Sequence, residues 1–164
     1  MLNPHQFVNL ILEPALRATG MYSLDAMYLM VCTIMVESKL THLKQLPDGP
    51  ALGLGEIEPA TYVDSKRYLE RRSDIRSKIL NYCERTYLPE NPTTLIADLS
   101  LNILIARVKY WMVTEPIPSY KDPHAQAEYY EKYYNANKEV NKVDEFVRHN
   151  QNITGWINHG ETTQ

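Results

Sequence analysis

The sequence predicts a mainly α, single compact domain of six or seven helices with little or no β-sheet. Apolar residues recur at intervals of three and four along most of the 164-residue chain, which is the spacing of one face of an α-helix. Capping residues precede these stretches, and Gly or Pro follows them. An alternation of apolar and polar residues, which is typical of a strand, is suggested only at residues 52–58. A chain of this length ordinarily folds as one domain.

The first two helices are predicted from their caps. Asn3 caps a helix in which Pro14 is expected to introduce a kink or an end. Ser23 caps a second helix, which runs to Glu37. Apolar residues cover most of the circumference of this second helix, so we expect it to be the central, buried helix of the domain.

The remaining helices follow a turn-rich region between Thr41 and Gly55. They are expected at residues 59–69, 75–82, 95–112, 123–136 and 142–150. Pro-rich segments around residues 89–92 and 115–118 separate three of them. Residues 1–155 are expected to form the domain, and residues 156–164 a flexible C-terminal tail.

Charge and composition argue against several classes of function. The net charge is −3 with a pI near 5.9, and the basic clusters are short, whereas nucleic-acid-binding proteins concentrate basic residues on one face. No apolar run reaches the roughly 20 residues that cross a bilayer, and no signal peptide is recognisable after Met1. The five histidines are dispersed without paired metal-ligand spacing. We therefore expect no nucleic-acid partner, no membrane insertion, no metal and no cofactor.

Glu37 is the candidate catalytic residue that the pattern itself singles out. It ends an apolar helix and is followed by Ser38 and the turn-rich region. A carboxyl group at such a boundary is partly desolvated, which favours its protonated form. That form suits a general acid that delivers a proton near neutral pH. The alternative is an ordinary solvated glutamate at a helix C-terminus.

Three sequence motifs carry a resemblance to a known family. Glu37-Ser38 is followed after a short gap by Gly-Leu-Gly-Glu-Ile-Glu-Pro-Ala-Thr at residues 53–61. This order resembles the lytic transglycosylases of the lysozyme-like superfamily, in which a Glu-Ser pair ends a helix and a Gly-Leu-Met-Gln-Ile-Met-Pro-Ala-Thr-like stretch follows. The fuller run over residues 43–61 is similar to a phage-borne branch. Residues 134–136, Tyr-Asn-Ala, partly match the third motif, Ala-Tyr-Asn-Ala-Gly.

The resemblance implies an α+β lysozyme-like fold with a cleft beside the Glu37 helix. It implies that Glu37 is the general acid/base that cleaves the bond between N-acetylmuramic acid and N-acetylglucosamine in peptidoglycan. Whether the product is a 1,6-anhydro sugar (transglycosylase) or a reducing end (muramidase) stays open. The substrate-binding residues implied are Ser38, Glu56, Glu58, Thr61, Tyr134 and Asn135. The implied location is the phage virion, with other virion proteins as partners, or release as an endolysin from the host cytoplasm to the periplasm and cell wall.

The sequence departs from the family at the second and third motifs. Glu56 stands where the family has Gln, and Gly55 where it has Met. Glu56 is either a second catalytic carboxylate, as in hydrolases that use a pair, or a solvated loop residue. If it lies close to Glu37, the charge of Glu56 is expected to raise the pKa of Glu37 further. The Tyr-Asn-Ala motif continues into Asn137 and not into Gly.

Tyrosine is unusually frequent, with 12 Tyr against two Phe and two Trp. Four of them form a broad strip on one predicted helix: Tyr129, Tyr130, Tyr133 and Tyr134. Tyrosine rings can stack on sugars while their hydroxyl groups form hydrogen bonds. The alternative is that they pack at the edge of the core.

Two hypotheses from other classes remain open. The first is a catalytically inactive lysozyme-like protein with a structural or assembly role in a virion, which the acidic pI and the altered second motif favour. The second is a helical nucleic-acid-binding or regulatory module, which the lack of a basic face disfavours.

Overall fold

The computed structural model describes residues 1–157, which form eight helices and no β-strand. In chain order they are α1 (residues 4–19), α2 (Leu24–Glu37), α3 (Pro59–Glu70), α4 (Ser73–Tyr82), α5 (Thr94–Ala97), α6 (Leu99–Trp111), α7 (Pro123–Tyr133) and α8 (Val143–Ile153). The region expected to alternate like a strand contains only isolated bridges, between Leu52 and its partners Lys44 and Ile57. The predicted mainly α class is confirmed.

Helix α1 continues through Pro14 because its backbone widens before that residue. Between the α-helical segments Pro4–Phe7 and Glu13–Thr19, residues Val8–Leu12 form a π-helical turn. There the Glu13 N–H donates to the Val8 carbonyl, five residues back. Proline lacks an N–H and its ring crowds the carbonyl of the preceding turn, so the wider turn accommodates it without ending the helix.

Helix α2 is the central helix, as the sequence predicts. The Ser23 hydroxyl accepts a hydrogen bond from the Ala26 N–H at 3.0 Å and so caps its first turn. Every residue from Ala26 to Val36 is buried. Helices α7 and α8 pack against α2 and against each other. This three-helix contact encloses the C-terminal end of α2, where Glu37 lies.

The prediction of a single helix at residues 95–112 is wrong, because the helix is interrupted at Asp98. The backbone of Asp98 leaves the helical region (φ −92°, ψ 89°), and its carboxylate caps the new helix by accepting from the Leu101 N–H at 2.8 Å. Its other oxygen pairs with Arg85 at 2.8 Å. The helix expected at residues 123–136 likewise ends earlier, at Tyr133.

The C-terminal part of the described chain packs on the core. Trp156 contacts the core, and Ile157 is buried. The Asn9 amide donates to the Trp156 carbonyl at 3.2 Å. The rest of the segment expected to be a tail, residues 158–164, lies outside the described residues. Within residues 1–157, no helix combines the length and the hydropathy needed to cross a membrane.

Candidate active site

The C-terminal end of α2 places Glu37 in a nearly closed site. Its side chain is 9% exposed. The chain leaves the helix through Ser38, and both Lys39 and Leu40 then adopt left-handed backbone conformations, with φ of 56° and 53°. Residues with a side chain rarely adopt this conformation, and two in succession turn the chain sharply away from the helix axis. Glu37 is therefore not a solvated glutamate at a helix terminus.

Glu56 lies directly against Glu37. The two carboxyl groups share a hydrogen bond, and we refer to them as the carboxyl pair. Burial and the negative charge of Glu37 raise the pKa of Glu56 from 4.5 to about 7, and the positive charges of Lys142 and Lys39 oppose this rise. Glu56 is thus not a solvated loop residue, and the pair retains a proton under conditions in which an isolated glutamate is ionised.

A tight turn holds Glu56 in this position. Residues 53–56 are enclosed by reciprocal backbone hydrogen bonds between Leu52 and Ile57, both 2.9 Å long. Glu56 itself has a φ of 43°. A Cβ atom on Gly53, whose φ is 70°, would lie 2.1 Å from the Asn102 Nδ2 atom. The turn therefore requires glycine at position 53, as the motif has it.

Asn102, a buried residue of α6, anchors the turn to the core. Its Oδ1 atom accepts from the Gly55 N–H at 2.8 Å, and its Nδ2 group donates to the Leu52 carbonyl at 2.9 Å. Both sides of one amide group are thus used to hold two backbone groups of the turn. Because α6 is a core helix, the position of Glu56 is set by the packing of the whole domain.

Tyr130 of α7 contacts the pair, and Tyr134, the residue that follows α7, contacts the turn. The buried Tyr130 hydroxyl donates to Glu37 Oε1. The buried Tyr134 hydroxyl donates to the Gly55 carbonyl at 2.6 Å. Their rings stack on each other with centroids 6.0 Å apart. Tyr129 is also buried, so three of the four tyrosines in the strip pack in the core instead of presenting rings to a sugar.

Lysine side chains provide the positive charge around the pair. The Lys142 ammonium lies 3.6 Å from Glu37 Oε1, and its side chain is 22% exposed. Lys109 donates to the Tyr134 carbonyl at 2.7 Å. Burial lowers the pKa of Lys109 to about 8, while the charges of Glu37 and Glu58 act in the opposite direction. These ammonium groups partly offset the negative charge of the carboxyl pair.

Two of the predicted substrate-binding residues use their side chains within the fold. The buried Ser38 hydroxyl donates to the Ile34 carbonyl at 3.2 Å. The buried Asn135 amide donates to Glu131 at 2.9 Å and to the Val140 carbonyl at 3.0 Å. Asn135 therefore closes the turn that leads from α7 towards Lys142.

The other predicted residues lie at the start of α3. Glu58 is the residue before its first turn and Thr61 lies within that turn, and both are partly buried. The structure thus brings Glu37, Glu56 and Tyr134 together around one turn, with Glu58 close enough to Lys109 for its charge to act there.

The expected cleft beside Glu37 is covered by the segment between α7 and α8. The Lys142 side chain lies over Glu37, while its backbone N–H donates to Glu131 at the end of α7. Lys39, on the other side, pairs with Glu145 of α8.

Sequence reasoning did not identify the roles of Tyr130, Lys109, Lys142 and Asn102. Tyr130 was noticed only as part of the tyrosine strip. A lone Asn among the apolar residues of α6 was the available signal for Asn102, since a buried amide needs hydrogen-bond partners. The two lysines carried no local signal, because only the tertiary fold brings them to Glu37.

No grouping of three or more His, Cys, Asp or Glu side chains within residues 1–157 has the arrangement of a metal site. The polar side-chain groups that the structure places together at the site are the carboxyl pair, one tyrosine hydroxyl and nearby ammonium groups. Comparisons of the chain with protein-family models, curated proteins and solved structures gave no match.

Proposed function

We propose that this protein cleaves the glycan strands of peptidoglycan between N-acetylmuramic acid and N-acetylglucosamine, with Glu37 as general acid and base. The observation that carries the proposal is the carboxyl pair: two glutamates that share a hydrogen bond at the end of a buried helix. The motifs that resemble the lytic transglycosylases supply both members of this pair, Glu37 from the first and Glu56 from the second.

The pair acts as a proton store at neutral pH. Because the pKa of Glu56 is about 7, one proton is held between the two carboxyl groups below that pH. Transfer along their hydrogen bond places the proton on Glu37, which donates it to the glycosidic oxygen as the bond to the leaving sugar breaks. The resulting Glu37 carboxylate is stabilised by the Tyr130 hydroxyl and the Lys142 ammonium, and it then accepts a proton from the attacking hydroxyl group or water.

The closeness of the two carboxyl groups favours a mechanism with one acid/base over the two-carboxylate mechanisms of most glycosidases. Retaining and inverting glycosidases hold their carboxyl groups about 5–5.5 Å and about 6.5–9.5 Å apart, with the sugar or a water between them. Groups joined by a hydrogen bond leave no such space. Glu56 therefore sets the protonation of Glu37, and groups of the substrate itself stabilise the oxocarbenium-like centre.

The experiment is digestion of purified peptidoglycan followed by mass analysis of the released fragments. The variants are Glu37→Gln, Glu56→Gln and, as a matched control, Glu70→Gln, which alters an exposed glutamate at the end of α3. We expect release by the wild type and the Glu70 variant and none by the Glu37 variant. Glu56→Gln, which restores the residue typical of the family, should cleave with a changed pH dependence. Anhydro or reducing ends identify the reaction.

Equal activity of the wild type and Glu37→Gln would remove Glu37 from the mechanism. Loss of activity in Glu56→Gln and its retention in Glu37→Gln would reverse the two roles. For the wild type, activity is expected to fall as the pH rises through about 7, because the pair then loses its proton.

The second candidate is a structural or assembly protein of a phage virion without catalytic activity. The observation that favours it is the coverage of Glu37, whose side chain is only 9% exposed. It predicts stable association with other virion proteins and no release of fragments from several wall types by folded protein. Under either candidate we propose a phage origin, with the virion or the host cell wall as the place of action.

A further inference from the structure

A polar cavity of about 380 Å³ lies at the opposite end of α2 from the carboxyl pair. It is bounded by the start of α2, the end of α6, the loop that follows α6 and Tyr129 of α7. Asp25, which lines it, precedes Glu37 by 12 residues on α2, a separation of about 18 Å at about 1.5 Å per residue. The start of α2 at this cavity is thus remote from Glu37, whereas Tyr110, which also lines the cavity, is close enough for the charge of Glu37 to act on it.

Arg107, which lines this cavity, is a buried cation that forms no ion pair within residues 1–157. It is 5% exposed, and its guanidinium lies over the ring of Trp111 at 5.0 Å. Its Nε donates to the Met21 carbonyl at 3.2 Å, but its buried Nη1 has no hydrogen-bond partner within residues 1–157. Burial lowers the pKa of Arg107 to about 10, so it stays charged at neutral pH. A buried charge without a partner is costly, and an anion would offset that cost.

The carboxylates that also line the cavity are already engaged. Asp25 accepts from the Tyr120 N–H at 2.7 Å. Glu115 pairs with Lys132 at 2.8 Å and accepts from the Tyr133 hydroxyl. The titratable side chains that act on Arg107 are Tyr129 and Tyr110. Neither of them carries a negative charge at pH 7. The negative charges of both carboxylates oppose an anionic ligand, and they oppose a dianion more strongly than a monoanion.

We propose that this cavity binds a small organic monocarboxylate, whose carboxylate pairs with Arg107. Because Nε is bonded to the Met21 carbonyl and Nη1 is closed to solvent, the carboxylate pairs with the remaining guanidinium nitrogen in a charge-assisted hydrogen bond. Hydroxyl groups of Ser23 and Thr114 line the same cavity, and Trp111 and Ile117 give it an apolar side. The positive end of the α2 dipole adds a further preference for an anion. The ligand is therefore a monoanion with an apolar body.

The test is a titration of the isotope-labelled, full-length protein with benzoate, followed by the NMR signals of the Arg107 Nε–H and the Trp111 indole N–H. Benzamide, which has the same shape without the charge, and inorganic phosphate, which has the charge without the apolar body, are the matched ligands. Arg107→Gln is the test variant. Arg72→Gln is its control, because Arg72 also lies over an aromatic ring, that of Tyr68, but is only partly buried and pairs with Asp74.

We expect saturable shifts with benzoate, with a dissociation constant of about 1–10 mM for a ligand of this size. Benzamide and phosphate should bind at least about tenfold more weakly, as expected for loss of one charge-assisted hydrogen bond or of the apolar contacts. Arg107→Gln should lose binding and Arg72→Gln should retain it. Equal binding of benzoate and benzamide by the wild type, or no saturable shift with benzoate, would overturn the proposal without reference to any variant. Neither result depends on glycan cleavage.

Discussion

Replacing Glu56 by Gln is expected to stabilise the protein at alkaline pH and to leave its stability at acidic pH unchanged. Glutamine has nearly the same shape as a protonated glutamate, and its amide can donate to the Glu37 carboxylate as the Glu56 carboxyl does. The variant therefore mimics the folded protein with the proton held on Glu56. Above about pH 7 the wild type loses that proton and the variant cannot.

The size of the effect follows from the pKa of Glu56. This pKa rises from 4.5 to about 7 on folding, so the folded state binds more protons than the unfolded state between these values. Stability due to this group is lost as the pH rises through that interval. At about 1.36 kcal/mol per pKa unit, the upper bound is about 3.4 kcal/mol. Because Glu56 is only half-buried, solvent screening reduces the expected effect to about 1–2 kcal/mol.

The measurement is urea-induced unfolding of the wild type, Glu56→Gln and the exposed control Glu70→Gln at several pH values between about 5 and about 8. The free energy of unfolding of the wild type should fall relative to that of Glu56→Gln as the pH rises, whereas the Glu70 variant should follow the wild type. Parallel profiles of the wild type and Glu56→Gln would show that Glu56 does not titrate near neutral pH, and the proton-store argument would then be wrong.

Three further predictions concern the surroundings of the pair. Tyr130→Phe removes the hydroxyl that donates to Glu37 and should lower kcat about tenfold or more with a smaller change in KM; equal rates of muropeptide release would contradict this. Gly53→Ala should lower the free energy of unfolding by at least about 2 kcal/mol, since its Cβ would overlap the Asn102 amide; an unchanged urea midpoint would disprove it. Lys142→Met removes a positive charge that lowers the pKa of Glu56. NMR titration should therefore show a higher pKa for Glu56 in this variant, and an unchanged pKa would contradict the closeness of Lys142 to the carboxyl pair.

The sequence predicted helix positions where a start or stop signal is unambiguous. Ser23 marks the start of α2 because serine is a preferred N-cap residue and it directly precedes an apolar run. Asp98 gives no such signal, because it lies within a continuous apolar pattern and an aspartate there is equally compatible with a helix face. Only the tertiary contact with Arg85 and the cap to Leu101 show that the chain breaks at Asp98.

The sequence allowed the two carboxylate residues of the candidate site to be identified, but it did not predict how they are arranged. Glu37 could be identified from its place at the end of an apolar helix, and Glu56 from its place in the second motif. Their hydrogen bond depends on a left-handed φ of 43° at Glu56, which local sequence does not specify for a residue other than Gly. It also depends on Asn102, which follows Gly55 by 47 residues. Such long-range contacts are set by packing and leave no local pattern.

The hydrogen bonds at the base of the loop before Glu56 separate the tip of that loop from the turn at residues 53–56. Gln45 and Ala51 are joined by a backbone hydrogen bond of 3.0 Å, and a bridge between Lys44 and Leu52 lies beside it. Residues 46–50 therefore form a loop whose two ends are joined by these bonds before the turn at residues 53–56 begins. Lengthening such a loop costs only about 0.6 kcal/mol per doubling of its length. A reporter group or a foreign wall-binding peptide inserted after Asp48 should thus be carried on the protein with the carboxyl pair intact.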